Sequence, residues 1–205
     1  MIVTNYTPEH MKRLPLPAIA AFGARCAPHV APKALLPDTY PDAHRYRDAV
    51  ANAIELTEGF AKGSPCPTIE SVVREIESCQ ALAEGDFVRE SAMHAVVLAA
   101  HTAATAMRAL DLRGVPLQSH AFGAAKPNPF PHLAEVTADL CARDAYTAAL
   151  TSANADGHTD GFVNDAVEDY KKLLSLDLGT YPQAGQPIDP SSKGPLGPLG
   201  TEQSL

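Results

Sequence analysis

Tryptophan is absent from the 205 residues, and six phenylalanines with six tyrosines hold the aromatic share at 6%. A core made from this chain must therefore be filled by aliphatic and small side chains, of which alanine alone contributes 35. Basic charge is also scarce. Sixteen lysines and arginines face 24 aspartates and glutamates, giving a net charge of −8, and no basic cluster interrupts that balance. A protein that binds nucleic acid by neutralising phosphates needs the opposite pattern, so nucleic acid is excluded as a partner. No apolar run reads as long enough to span a bilayer, and Met1–Thr7 lacks a basic segment followed by an apolar one. No membrane association is expected, and a cytoplasmic location is.

The four cysteines, Cys26, Cys66, Cys79 and Cys141, form no Cys-x-x-Cys pair. Zinc knuckles and thioredoxin-type motifs are thus missing, and small buried thiols are the expectation. Neither glycine-rich phosphate loop, Gly-x-Gly-x-x-Gly or Gly-x-x-x-x-Gly-Lys, occurs, and no Gly-x-Ser-x-Gly elbow presents a nucleophile. His120 stands in the loop Gln118–Gly123 beside Ser119, where a solvated loop residue is the expectation. No cofactor is expected.

What the chain does have is helical periodicity. Proline is concentrated in three stretches, Met1–Pro41, Val115–Pro131 and Pro182–Pro198, with periodic segments between them. From Pro41 to Gly63, Ala43, Tyr46, Val50, Ile54, Thr57 and Ala61 recur at three- and four-residue spacing, which predicts one buried helical stripe. Thr68 is placed to cap a second helix with its stripe at Ile69, Val72, Val73, Ile76, Cys79 and Ala83, ended by Gly85. Asp86 reads as the N-cap of a long third helix reaching about Leu112, placed at the centre because eight of the 18 residues from Ala92 to Ala109 are alanine. A fourth helix is predicted from about Pro131 to Asn154, with Leu133, Val136 and Leu140 giving way to Ala145, Ala148 and Ala149, small residues that permit close approach to the third helix. A fifth runs from Thr159 or Asp160 to Leu178. Pro17–Ala27 adds a short helix that Pro28 and Pro32 should limit.

Alternating β-branched runs with hairpin turns are not found, so the fold expected is all-α: an alanine-rich bundle of about five main helices. The bundle occupies 1–180, with an irregular segment and short helix over 1–41, and an extended Pro/Gly-rich tail covers 181–205. Ile188, Leu196 and Leu199 give that tail apolar anchors, expected to dock on the bundle or on a neighbouring subunit.

Two patterns carry candidate metal chemistry. Glu90, His94, His101 and Arg108 are spaced by four, seven and seven residues, so they share one stripe of the third helix. Helical bundles project such carboxylates and imidazoles toward divalent metals, which makes Glu90, His94 and His101 half of a possible enzyme site. No second helix supplies a matching pair, and Arg108 is a poor neighbour for a cation, so a solvated stripe is the expectation. The stretch Asp156–Asn164 partly resembles a calcium loop through Asp156, Asp160, Gly161 and Asn164. His158 stands where an oxygen ligand belongs, and Val167 replaces the bidentate glutamate, which arrives one residue late as Glu168.

Phe22, Arg25 and Cys26, then Leu36-Pro37-Asp38, then Ala49-Val50 through Glu58, Phe60, Ala61 and Gly63 resemble a group of alanine-rich helical bacterial proteins. Some toxin-immunity proteins are among that group's relatives. The resemblance implies an all-helical architecture and a non-catalytic role. The function expected is a protein-binding helical module, acting as an adaptor, an immunity-like factor or a subunit of a larger assembly. The partner is then another protein or a second copy, and a metal-dependent enzyme is the alternative.

Overall fold

The computed structural model describes residues 7–64, 66, 68–113, 131–157, 159–182 and 185–197. Seven α-helices occur among them, α1 (Pro8–Met11), α2 (Leu16–Ala34), α3 (Ala43–Ala61), α4 (Ile69–Gln80), α5 (Phe87–Arg113), α6 (Pro131–Asp156) and α7 (Thr159–Ser175). No strand is present among the described residues, so the fold is all-α.

The predicted punctuation operates at the start of α5 and after α3 and α4. Asp86 Oδ1 accepts the backbone N–H groups of Val88 and Arg89, each at 3.1 Å, and so satisfies two of the donors that an α-helix start leaves free. Gly63 and Gly85 adopt positive φ after α3 and after the 3₁₀ turn Ala81–Ala83 that extends α4. Thr68 departs from expectation. Its hydroxyl makes no capping bond to the helix, and its carbonyl instead accepts the Ser71 hydroxyl at 2.7 Å.

The largest departure is α2. It runs 19 residues and carries Pro28 and Pro32 inside it, where a short helix ending near Ala27 is predicted. An interior proline costs about 3 kcal/mol through a lost amide donor and a clash with the preceding turn. Burial outweighs that cost. Every residue from Leu16 to Ala27 is buried, Val30 and Ala34 carry the buried face past the prolines, and α2 packs on α3, α5, α6 and α7.

Helix α5 lies centrally, as its alanines predict, against α2, α3, α4 and α6. Its stretch Phe87–Leu112 does have the length and hydropathy of a membrane span, counter to the sequence reading, because alanines raise the average without adding bulk. Sixty-one per cent of that apolar window is buried inside the bundle.

Helix α6 meets α5 through small residues, as expected. Its buried face is made of Ala134, Ala138, Cys141, Ala142, Ala145, Ala148 and Ala149, while Leu133, Val136 and Leu140 point outward. Close approach explains the choice. The Cys141 thiol reaches the Thr102 carbonyl of α5 at 3.4 Å, a distance that leaves room for methyl groups and none for leucines.

The segment 185–197 lies on the bundle as a strap, irregular to Pro190 and turned from Ser191 to Gly197. Ile188 is 2% and Leu196 1% exposed, and each buried anchor contributes up to ~1.5–3 kcal/mol. Ile188 also donates its amide to the Ala61 carbonyl at 2.7 Å, and Gln186 donates to Leu178 at 3.2 Å. Leu199 lies outside the described residues.

The small-residue contact between α5 and α6 makes a direct prediction. Ala145→Leu will overpack that contact and lower stability by at least ~1–3 kcal/mol, read as a reduced denaturant midpoint at unchanged m-value.

Candidate functional site

The chemically densest cluster lies where α2 meets α7. Arg25, Cys26 and His29 on α2 face Phe162, Asp165 and Asp169 on α7 around one small cavity. Arg25 is buried. Its Nε donates to Asp169 Oδ2 at 2.9 Å and its Nη2 to Oδ1 at 3.1 Å, a bidentate pair between side chains only 4% and 9% exposed. The third nitrogen, Nη1, donates to two strap carbonyls, Gly197 at 2.7 Å and Pro190 at 3.3 Å. Lys172, one turn along α7 from Asp169, donates to the Leu196 carbonyl at 2.8 Å. The guanidinium thus joins α2, α7 and the strap at one point.

Reactivity is not what this arrangement favours. Burial pushes the Cys26 thiol far above its ordinary range, with the neighbouring Asp169 charge adding to the effect, so a thiolate nucleophile is disfavoured. The cavity holds about 10 Å³, roughly the space of one water, and is too small for a substrate. His29 stacks at a tilt on Phe162 with ring centroids 4.9 Å apart. The cluster works as a polar clamp.

The predicted stripe of α5 falls along its border with α4. Glu90 is exposed and His94 half-buried, and neither is drawn into a shared site with His101. His101 instead pairs through Nε2 with Glu77 of α4 at 2.9 Å, and Arg108 approaches Glu70 at 3.5 Å. Both pairs line a 230 Å³ groove with Arg74. Among the described residues no three His, Cys, Asp or Glu side chains converge as a metal would require, those of Glu90, His94 and His101 included.

Asp144 of α6 lies near enough to His101 to feel its charge. Burial pushes its carboxyl up to about 6, and a charged His101 acts against that shift.

The calcium-like stretch is replaced by helix. Helix α6 continues through Asp156 and α7 begins at Thr159, leaving two residues between them, where a calcium loop needs about twelve. Gly157 makes the break with φ +73°, Asp160 falls inside the first turn of α7, and Asn164 is exposed on that helix. The side chains of Asp156 and Asp160, and the whole of His158 and His120, lie outside the described residues.

Two further surfaces escape the sequence reading. A cavity of about 410 Å³ opens between α3 and α4, lined by Asn52, Glu55, Gly59, Ser64, Cys66 and Thr68 among others. Cys66 donates to the Ser64 carbonyl at 3.3 Å, and burial pushes its thiol up, so this half-buried cysteine is not poised as a nucleophile either. The second surface is the outer face of α6. Leu133, Val136, Leu140 and Leu150 are 49%, 42%, 45% and 41% exposed. With Arg143 and Thr147 they repeat at three- and four-residue steps, the spacing of a helix seam that faces a partner. Counting which phase of α6 belongs to alanine would have found it.

In comparisons with known proteins, no family model, curated protein or solved structure matches this chain.

Two predictions follow from the charged groups. Asp169→Asn leaves Arg25 buried without its counter-charge and will cost ~3–5 kcal/mol in equilibrium unfolding. The second concerns Asp144, whose folded-state carboxyl holds its proton more tightly than the unfolded one. The unfolded state therefore binds fewer protons between about pH 4 and 6, and this group makes stability fall as pH rises through that window. Asp144→Asn removes the penalty, so its melting temperature will exceed that of the parent at pH 7.5 and match it at pH 4.

Proposed function

We propose that this chain is a non-catalytic, protein-binding helical module that acts as an adaptor, an immunity-like factor or a subunit of a larger assembly. The outer face of α6 carries the reading. Four large apolar side chains stand exposed along one helix at seam spacing, while the same helix buries alanines inward. Left in water, that surface has a hydration cost that a packed partner removes. Arg143 lies within the stripe and fits the arginine enrichment of protein interfaces.

The chemistry of the interior supports the same direction. Cys26 and Cys141 are sealed, Cys66 holds its proton, and the Arg25 cluster is filled by the chain's own carbonyls. The partner is a protein or a second copy of the chain, in the cytoplasm on this reading.

Leu133→Ser with Leu140→Ser tests the proposal. Both side chains are outward, so the double variant will keep the parent's helical circular dichroism and melt within a few degrees of it. It will lose association, measured as oligomer mass in sedimentation and as proteins retained in a native pull-down. Retention of every parental complex by the folded double variant would refute the reading.

A further inference from the structure

The outward stripe of α6 has a regularity that its exposure alone does not require. Leu133, Val136, Leu140, Arg143, Thr147 and Leu150 alternate steps of three and four residues, the spacing of the two seam positions of a heptad. At 1.5 Å per residue the stripe is about 26 Å long. Its edges are acidic. Asp139 borders one side, bonded to Lys12 of α1 and to Tyr181, and Asp144 borders the other, near His101 of α5. Arg143 is the stripe's basic member, one turn from Asp139 and close enough to act on its charge.

We infer that the outer face of α6 binds the same face of a second copy of this chain, with the two helices antiparallel about a two-fold axis between Leu140 and Arg143. The inference rests on the protein-binding reading of that face and names its partner. Around such an axis Leu133 faces Leu150 of the second copy, Val136 faces Thr147, and Leu140 faces Arg143. Bulk meets bulk at both ends. At the centre each guanidinium passes over Leu140 of the other copy toward the adjoining Asp139, a half-exposed carboxylate that keeps lone pairs free beside Lys12 and Tyr181.

Charge selects this arrangement over a parallel one. In a parallel pair the flanking residues meet as Asp139 against Asp144, once on each side of the axis, and Arg143 directly faces its own copy. Like charges opposed across a seam are destabilising. Reversing one helix sets Asp144 by Thr137 and Asp139 by Tyr146, and gives each arginine an acid. A foreign helix would have to supply that acid at the same place, whereas a second copy always carries it.

Sedimentation equilibrium of the purified chain tests the pair with no other protein present. The chain will be dimeric at micromolar concentration. Arg143→Glu alone, and Leu133→Ser with Leu140→Ser, will each weaken the dimer at least tenfold and keep the parent's circular dichroism. Register is read by oxidising Leu133→Cys and Leu150→Cys chains, singly and mixed, in a Cys66→Ser background that leaves only the buried thiols Cys26, Cys79 and Cys141. Only the mixture will give a disulfide-linked dimer, because the antiparallel pair holds like positions about 26 Å apart. Disulfides within either chain alone, or none from the mixture, would overturn the inference, as would a dimer that the α6 variants leave intact. A parent that stays monomeric at high micromolar concentration would overturn it too. If that monomer still retains a protein in the native pull-down and loses it on Leu133→Ser with Leu140→Ser, the protein-binding reading stands without a second copy.

Discussion

A single buried guanidinium organises this protein. Arg25 lies on a helix that is otherwise apolar from Leu16 to Ala27, and its charge cannot remain in that environment without a counter-charge and acceptors for its donors. Asp169 supplies the first, and the carbonyls of Pro190 and Gly197 supply acceptors. Satisfying one side chain therefore draws together residues more than 140 positions apart in sequence. Where the helices stack is decided by apolar burial, but where the tail lies is decided here.

The absence of bulky aromatics bears on the rest of the architecture. With alanine filling the contact between α5 and α6, the two backbones come close, and the larger aliphatics of α6 have no place inside. One packing decision thus produces both a tight interior and an apolar exterior. The same economy of side-chain volume places α2 among four neighbours, where burial of Leu16–Ala27, Val30 and Ala34 overrides two interior prolines.

Most helices were legible because their signals are local. The stripe from Ala43 to Ala61, the Asp86 cap and the glycine stops at Gly63 and Gly85 depend on residues within a turn or two of one another. Misreadings arose where the deciding fact was distant. Pro28 and Pro32 carry a strong local veto, and nothing in their neighbourhood reveals the burial that outweighs it. On α6 two apolar phases compete, and volume at the α5 contact assigns the inner face to alanine. The Arg25 clamp left a fainter trace, one arginine in a run of small apolar residues, and its partner Asp169 is one acid among several on α7. The stripe of Glu90, His94 and His101 was correctly grouped by helical phase, but phase fixes only one wall of a site, and α4 supplies Glu77 to His101 where metal chemistry would need further ligands.

Solvent exchange of the Arg25 Nε–H, followed by nitrogen-15 NMR in the full-length protein at neutral pH, tests the central role of this side chain most directly. An Nε–H that Arg25 donates to Asp169 and that the strap shields will exchange orders of magnitude more slowly than that of Arg108, which sits 58% exposed on α5. An Arg25 signal that exchanges as fast as that of Arg108 would contradict the account.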